Sequence, residues 1–133
     1  MEFYNKYIKF LLDEGNAYIC FCSSERLEKL RTDQRRKGET PRYDGFCRNL
    51  SKSEVSRRIE SGEEYVVRMK TPEVPETMVL NDLVRGKISI ETIHSEDQVI
   101  VKTDGFPTYH LAVVIDDYLM KITHVVRGEE WIP

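Results

Sequence analysis

The chain has 133 residues, 40% of them hydrophobic and 32% charged, which is enough for one globular unit and excludes a low-complexity or disordered protein. A formal charge of −3 gives no bulk attraction to nucleic acid, and no apolar run approaches the roughly 18 residues that span a bilayer. The opening Met1 to Lys6 lacks the basic-then-apolar order of a signal peptide, so a soluble, cytoplasmic protein with no membrane partner is expected.

Tyr4, Tyr7, Ile8, Leu11 and Leu12 recur at helical spacing and Gly15 follows as a C-terminal cap, predicting an amphipathic first helix. Ala17 to Cys22 reads as a strand whose period of two puts Tyr18, Cys20 and Cys22 on one face. Ser23 and Ser24 offer N-caps for a second helix running to about Gly38. The segment from Gly38 to Asn49 is rich in Gly, Pro and Asp, so it is a loop that turns back at Asp44-Gly45 and brings Cys47 into play. Ser51 and Glu54 have capping-box spacing for a third helix that Gly62 ends. Strands are then predicted at Tyr65–Lys70, Met78–Val84, Lys87–Ile93 and Gln98–Lys102, with turns at Arg85-Gly86 and Ser95-Glu96-Asp97. The chain closes with a Gly/Pro turn, a helix capped by Thr108, and a β-branched strand at Thr123–Val126. The fold class is α/β, with a mixed lobe of about residues 17–103 between flanks of about 1–16 and 104–133.

Two features carry chemistry. Three cysteines, two of them separated by one residue, suit metal ligation or reduced thiols better than a disulfide framework. A C-x-C strand offers two thiolates from one face, and Cys47 on a later turn can approach them. The stretch Ser23 to Arg58 holds 11 Lys/Arg against 6 Asp/Glu. Such a lobe either faces phosphates or is a solvated helix surface. Near the other end, Arg127, Glu130 and Trp131 follow the expected last strand, where open α/β sheets bind ligands. Arg127 offers paired donors for a carboxylate or phosphate, or else makes a surface ion pair with Glu129 or Glu130. His110, His124, Asp116 and Asp117 lack the partners for nucleophilic catalysis and read as packed or helix-end residues.

The run Asp104 to Ala112, Asp116-Asp117 and Ile122 to Trp131 ("DGFPTYHLA", "DD", "ITHVVRGEEW") resembles class I glutamyl-tRNA synthetases of the bacterial and organellar type. So do "CFC" at Cys20 to Cys22 and "PRYDGFCR" from Pro41 to Arg48, and the resemblance extends over essentially the whole chain. It implies a Rossmann-like catalytic fold, represented by residues 1–16 and 104–133, interrupted by an insertion at 17–103 that receives the tRNA acceptor end. It further implies that Tyr109, Arg127, Glu130 and Trp131 bind glutamate and its adenylate, Arg127 reading the side-chain carboxylate. Zinc is implied at Cys20, Cys22 and Cys47 with Tyr43 as fourth ligand. Arg35, Arg36, Arg42 and Arg48 are the expected contacts to the acceptor stem of glutamate tRNA. The implied partners are L-glutamate, ATP with magnesium, and that tRNA, acting on a monomer. No "HIGH"-like histidine pair and no "KMSKS"-like loop occurs in the 133 residues. The chain therefore resembles an internal fragment, inactive when isolated. A short paralogue that attaches glutamate to queuosine in tRNA, or a non-catalytic acceptor-binding module, are the alternative readings.

Overall fold

Helical spacing of apolar residues produces α1 (Glu2–Asp13), which ends with Gly15 at φ +74°, a left-handed conformation that glycine adopts without strain. The computed structural model describes every residue except 75, 93, 94, 132 and 133, and the backbone alone at residue 129. After α1 come β1 (Ala17–Cys20), α2 (Ser24–Arg36), α3 (Lys52–Glu60), β2 (Val66–Met69), β3 (Thr77–Asp82), β4 (Gly86–Glu91), β5 (Val99–Val101) and α4 (Tyr109–Leu119), with a 3-10 turn at Glu129–Trp131. Both expected caps form: Ser23 accepts from the Arg26 N–H at the start of α2, and Ser51 from the Glu54 N–H at the start of α3. The expected strand Lys87–Ile93 is present as β4, and its last residue lies outside the described residues.

β1, β2 and β5 form an antiparallel sheet with β2 in the centre. Register decides what each face does. Ala17 is paired with Met69 and Ile19 with Val67, while Tyr18 is paired with Arg68 and Cys20 with Val66. Directly opposite residues of an antiparallel pair share a face, so the first set faces one side and the second set the other. On the first side Ala17 and Val67 join Ile100, Val101, Leu111 and Ile115 in the hydrophobic core, against which Tyr4, Tyr7, Ile8, Leu11 and Leu12 of α1 pack. The flanking helices thus cover one face of the sheet made by the middle of the chain. Tyr4 donates to the Asp116 carboxylate at 2.8 Å, joining α1 to α4. The second face carries Tyr18, Cys20 and Arg68 toward the loop between α2 and α3.

Among the described residues β3 and β4 pair only with each other, as a two-stranded hairpin whose turn is held by the Asp82 carboxylate accepting from the Val84 and Arg85 N–H groups. Two expectations need correction. Thr108 sits at the N-cap of α4 but makes no side-chain cap; its hydroxyl donates instead to the Val99 carbonyl at 3.1 Å, tying the helix start to β5. Thr123–Val126 is irregular rather than a strand, and Val126 is 97% exposed. No described strand lies beside it to complete a ladder, and β-branched residues have little preference for extended structure without such a partner.

Candidate functional site

The thiols meet because β1 is short and the following loop returns. Gly45, at φ +71°, makes the reversal, and Asp44 fixes it by accepting from the Phe46 N–H and pairing with Arg26 of α2 at 2.6 Å. The loop then sets Cys47 beside β1, where Cys20 and Cys47 are 1% and 2% exposed. The Cys22 and Cys47 sulfurs stand 3.6 Å apart, and the Tyr43 hydroxyl lies 3.3 Å from the Cys20 sulfur and 3.5 Å from that of Cys22. All three sulfurs lie within 4.8 Å of one another. Zn–S bonds of about 2.3 Å and a Zn–O bond of about 2.0 Å at tetrahedral angles require S···S near 3.8 Å and S···O near 3.5 Å. These side chains therefore have the spacing of a four-coordinate metal site. The Cys47 thiol holds the Cys20 thiol below the ordinary thiol range, helped by the Tyr43 hydroxyl, the Cys22 N–H and Arg68 against the opposing effect of burial. That favours the thiolate, the form that ligates metal.

Beneath the loop lies a polar network that sequence reading missed. Asp97, 5% exposed, accepts from the Tyr18 hydroxyl at 2.6 Å, the Thr71 N–H at 2.9 Å, the Thr71 hydroxyl at 2.6 Å and Arg48 Nη1 at 2.6 Å. Burial raises the Asp97 pKa, but the bonds from Thr71, Tyr18 and Arg48 outweigh it and hold the carboxyl below its ordinary value. The other side of Arg48 is also engaged, since Nη2 donates to the Thr71 carbonyl at 2.5 Å. Of the four arginines expected at the acceptor stem, Arg48 is therefore turned inward. Arg35 and Arg36 are exposed at the end of α2, with only loose pairs to Glu28 at 3.7 Å and Asp33 at 3.8 Å. Arg42 is exposed too, and its backbone is clamped to α2 by two hydrogen bonds with the Gln34 side chain, at 2.9 and 3.0 Å. Three arginines from α2 and the thiol loop are thus held on one connected unit.

At the other end of the chain, Tyr109, Arg127 and Trp131 come together although the segment after α4 is irregular. The Arg127 guanidinium lies 5.5 Å from the Tyr109 ring centre and 5.8 Å from that of Trp131, and the two rings are 5.9 Å apart. Among the described residues no carboxylate pairs with Arg127; of the two expected ion-pair partners, Glu130 is not engaged with it, and the Glu129 side chain lies outside the described residues. The Glu130 carboxylate folds back onto Gly128, and the guanidinium stands beside the two rings at about equal distance from each.

A profile of the family "tRNA synthetases class I (E and Q), catalytic domain" matches residues 1–133. The chain belongs to that family. It is 58% identical over 132 residues to a glutamate–tRNA ligase of Clostridioides difficile (strain 630), a match covering 99% of this chain and 27% of that protein. Identity is 54% over 133 residues to the glutamate–tRNA ligase of Alkaliphilus metalliredigens (strain QYMF), again covering 27% of the relative. Among solved structures, a glutamate tRNA ligase from Elizabethkingia meningosepticum in complex with its amino acid superposes with a TM-score of 0.91 at 40% identity, over 99% of this chain and 28% of that one. The chain thus spans about a quarter of the length of the ligases it matches. The class I synthetase assignment agrees with the mixed α/β architecture and with the motifs from Asp104 to Trp131. Within this synthetase segment, the missed residues are Asp97 and Arg68. Their partners lie 26 to 79 positions away in sequence, and no local pattern marks them.

Proposed function

We propose that the chain is the portion of a glutamate–tRNA ligase that faces glutamate and the acceptor end of glutamate tRNA. The observation that carries this reading is the Arg127 guanidinium standing beside the paired Tyr109 and Trp131 rings, 5.5 and 5.8 Å from their centres, with no described carboxylate partner. A planar guanidinium donates two parallel hydrogen bonds to a carboxylate, and Arg127 is exposed beside the two rings, open to such a ligand. The Tyr109 hydroxyl is a further donor for the same ligand, and Glu130 with Trp131 borders the adenylate. Arg35, Arg36 and Arg42 contact phosphates of the acceptor stem, while Arg48 serves the fold. Residues 17–103 act as the acceptor-binding insertion and the flanks as parts of the catalytic fold. The protein works as a cytoplasmic monomer in translation.

Zinc fits the donor set of Cys20, Cys22, Tyr43 and Cys47 and would be structural. When bound it cross-links the loop of residues 38–49 to β1 and adds its binding free energy to folding. ATP is different, because these 133 residues contain neither a HIGH-like histidine pair nor a KMSKS-like loop, the elements that hold its phosphates in class I synthetases. No ATP-dependent step is assigned to them, and the isolated chain should not exchange pyrophosphate into ATP when given glutamate.

A segment exchange tests the reading. The matching 27% of the Clostridioides difficile ligase is replaced by this chain, which is 58% identical to it. The hybrid should charge glutamate tRNA with glutamate and reject glutamine. A folded hybrid that charges neither, or that favours glutamine, would overturn the reading.

A further inference from the structure

Arg68 is 6% exposed and lies on β2, opposite Tyr18, on the sheet face that carries Cys20. The pairing of β2 with β5 shifts register between Val67 and Arg68, a local irregularity of the kind that re-aims a side chain. Its guanidinium stacks 3.8 Å from the centre of the Tyr43 ring, and Nη1 donates to the Asp97 carbonyl at 2.8 Å. Nε has no hydrogen-bond partner. No carboxylate pairs with it among the described residues, because the nearby Asp97 carboxylate is filled by Arg48, Thr71 and Tyr18.

A buried cation without an anion is unstable by several kcal/mol, so a negative group is needed close by. The thiol cluster supplies it. Three thiolates around a divalent zinc leave at least one excess negative charge, in a site where Cys20 and Cys47 are almost wholly buried. Each group lacks what the other holds.

We propose that Arg68 is the counter-charge and positioning residue of the metal centre, stacking on Tyr43 to hold its hydroxyl toward the sulfurs and offsetting the surplus charge of the three-thiolate complex. This rests on the zinc reading given above. Residues outside the ligand set that fix and balance a metal site typically change metal affinity by about 10- to 100-fold when altered.

The test uses the whole 133-residue chain, purified without chelator, as wild type and as Arg68→Lys, Arg68→Gln and Arg68→Met. Zinc affinity is measured by competition with a chromophoric chelator, and the cobalt(II) form is read by its absorption spectrum. Wild type should bind one equivalent. Arg68→Gln keeps a donor for the Asp97 carbonyl but not the charge, and should bind zinc about 10- to 100-fold more weakly. Arg68→Lys should recover much of that loss. Removing the positive charge should also move the thiolate-to-cobalt charge-transfer band to lower energy in folded Gln or Met variants, a change that a purely packing role would not produce. If the Met variant does not fold, the Lys and Gln pair decides. Gln equal to wild type in affinity and spectrum, or Lys as weak as Gln, overturns the role of Arg68 while leaving the zinc site standing. Wild type holding less than about a tenth of an equivalent removes both.

Discussion

Replacing Asp97 by Asn should be among the most damaging single changes in the chain. The carboxylate receives four donors, from Tyr18, both polar groups of Thr71 and Arg48, and its residue is 5% exposed. An amide offers one acceptor oxygen and turns two N–H groups toward donors, while Arg48, with 14% of its side chain exposed, keeps a charge compensated only by Glu73 at 3.7 Å. Breaking one side of a buried pair typically removes 3–5 kcal/mol, and the retained shape of Asn argues for the low end, about 3 kcal/mol. With a urea slope of about 2 kcal/mol/M, the midpoint should drop by roughly 1.5 M. The acid limb gives an independent check. The folded-state pKa of Asp97 is depressed below its ordinary 3.8, so its stabilisation is complete above that value and is lost as pH falls through the folded value. Far-UV circular dichroism in urea from pH 7 down to 2 should therefore show a constant gap between wild type and Asp97→Asn until the pH nears 3.8, then a gap that narrows as acid is added. Adding Arg48→Met to Asp97→Asn should restore part of the loss by removing the stranded cation. A loss under about 1 kcal/mol at pH 7, or a gap that stays constant down to pH 2, would show that the network does not anchor the loop.

Ser51→Ala should lower stability by about 1 kcal/mol, read as a shift in the same urea midpoint, because the Ser51 hydroxyl oxygen accepts from the Glu54 N–H at 3.2 Å and alanine leaves that donor to water. Cys47→Ser replaces a sulfur 3.6 Å from the Cys22 sulfur with a poor ligand; bound zinc, measured by mass spectrometry, should fall well below one equivalent. Arg35→Ala with Arg36→Ala, made in a complete ligase, should raise the KM for tRNA while leaving glutamate activation unchanged. The slope of log affinity against log salt should decrease in magnitude by about 0.7–0.9 for each phosphate no longer neutralised.

Local signals in the sequence predict the local structure well. The apolar spacing of Tyr4 to Leu12 yields α1, Ser51 starts α3, and Gly45 turns the loop that returns Cys47 to β1. What escapes is set by distant partners. Nothing around Arg48 distinguishes it from Arg42, yet Asp97, 49 residues on, draws one inward while the other stays exposed. Asp97 itself reads as part of a turn because its donors come from β1, the end of β2 and the thiol loop. Glu54 has capping-box spacing but pairs with Arg57 at 2.7 Å, the nearer cation drawing its carboxylate away from the cap. Thr123–Val126 has strand composition without a neighbouring strand. Arg68 falls inside the expected strand Tyr65–Lys70 with no assigned role, and the pairing with Tyr18 sets it on the face where it stacks on the Tyr43 ring.

The role of Arg127 is tested most directly by glutamate-dependent exchange of pyrophosphate into ATP, in a complete ligase carrying this segment with Arg127 as found and as Arg127→Ala. Loss of a charge-assisted pair to a bound carboxylate is worth about 2–4 kcal/mol, or roughly 30- to 1000-fold in kcat/KM for glutamate. Arg127→Ala should show that loss, with the KM for ATP unchanged and a weakened preference for glutamate over glutamine. Unaltered kcat/KM for glutamate with intact discrimination would mean that Arg127 does not bind the substrate carboxylate.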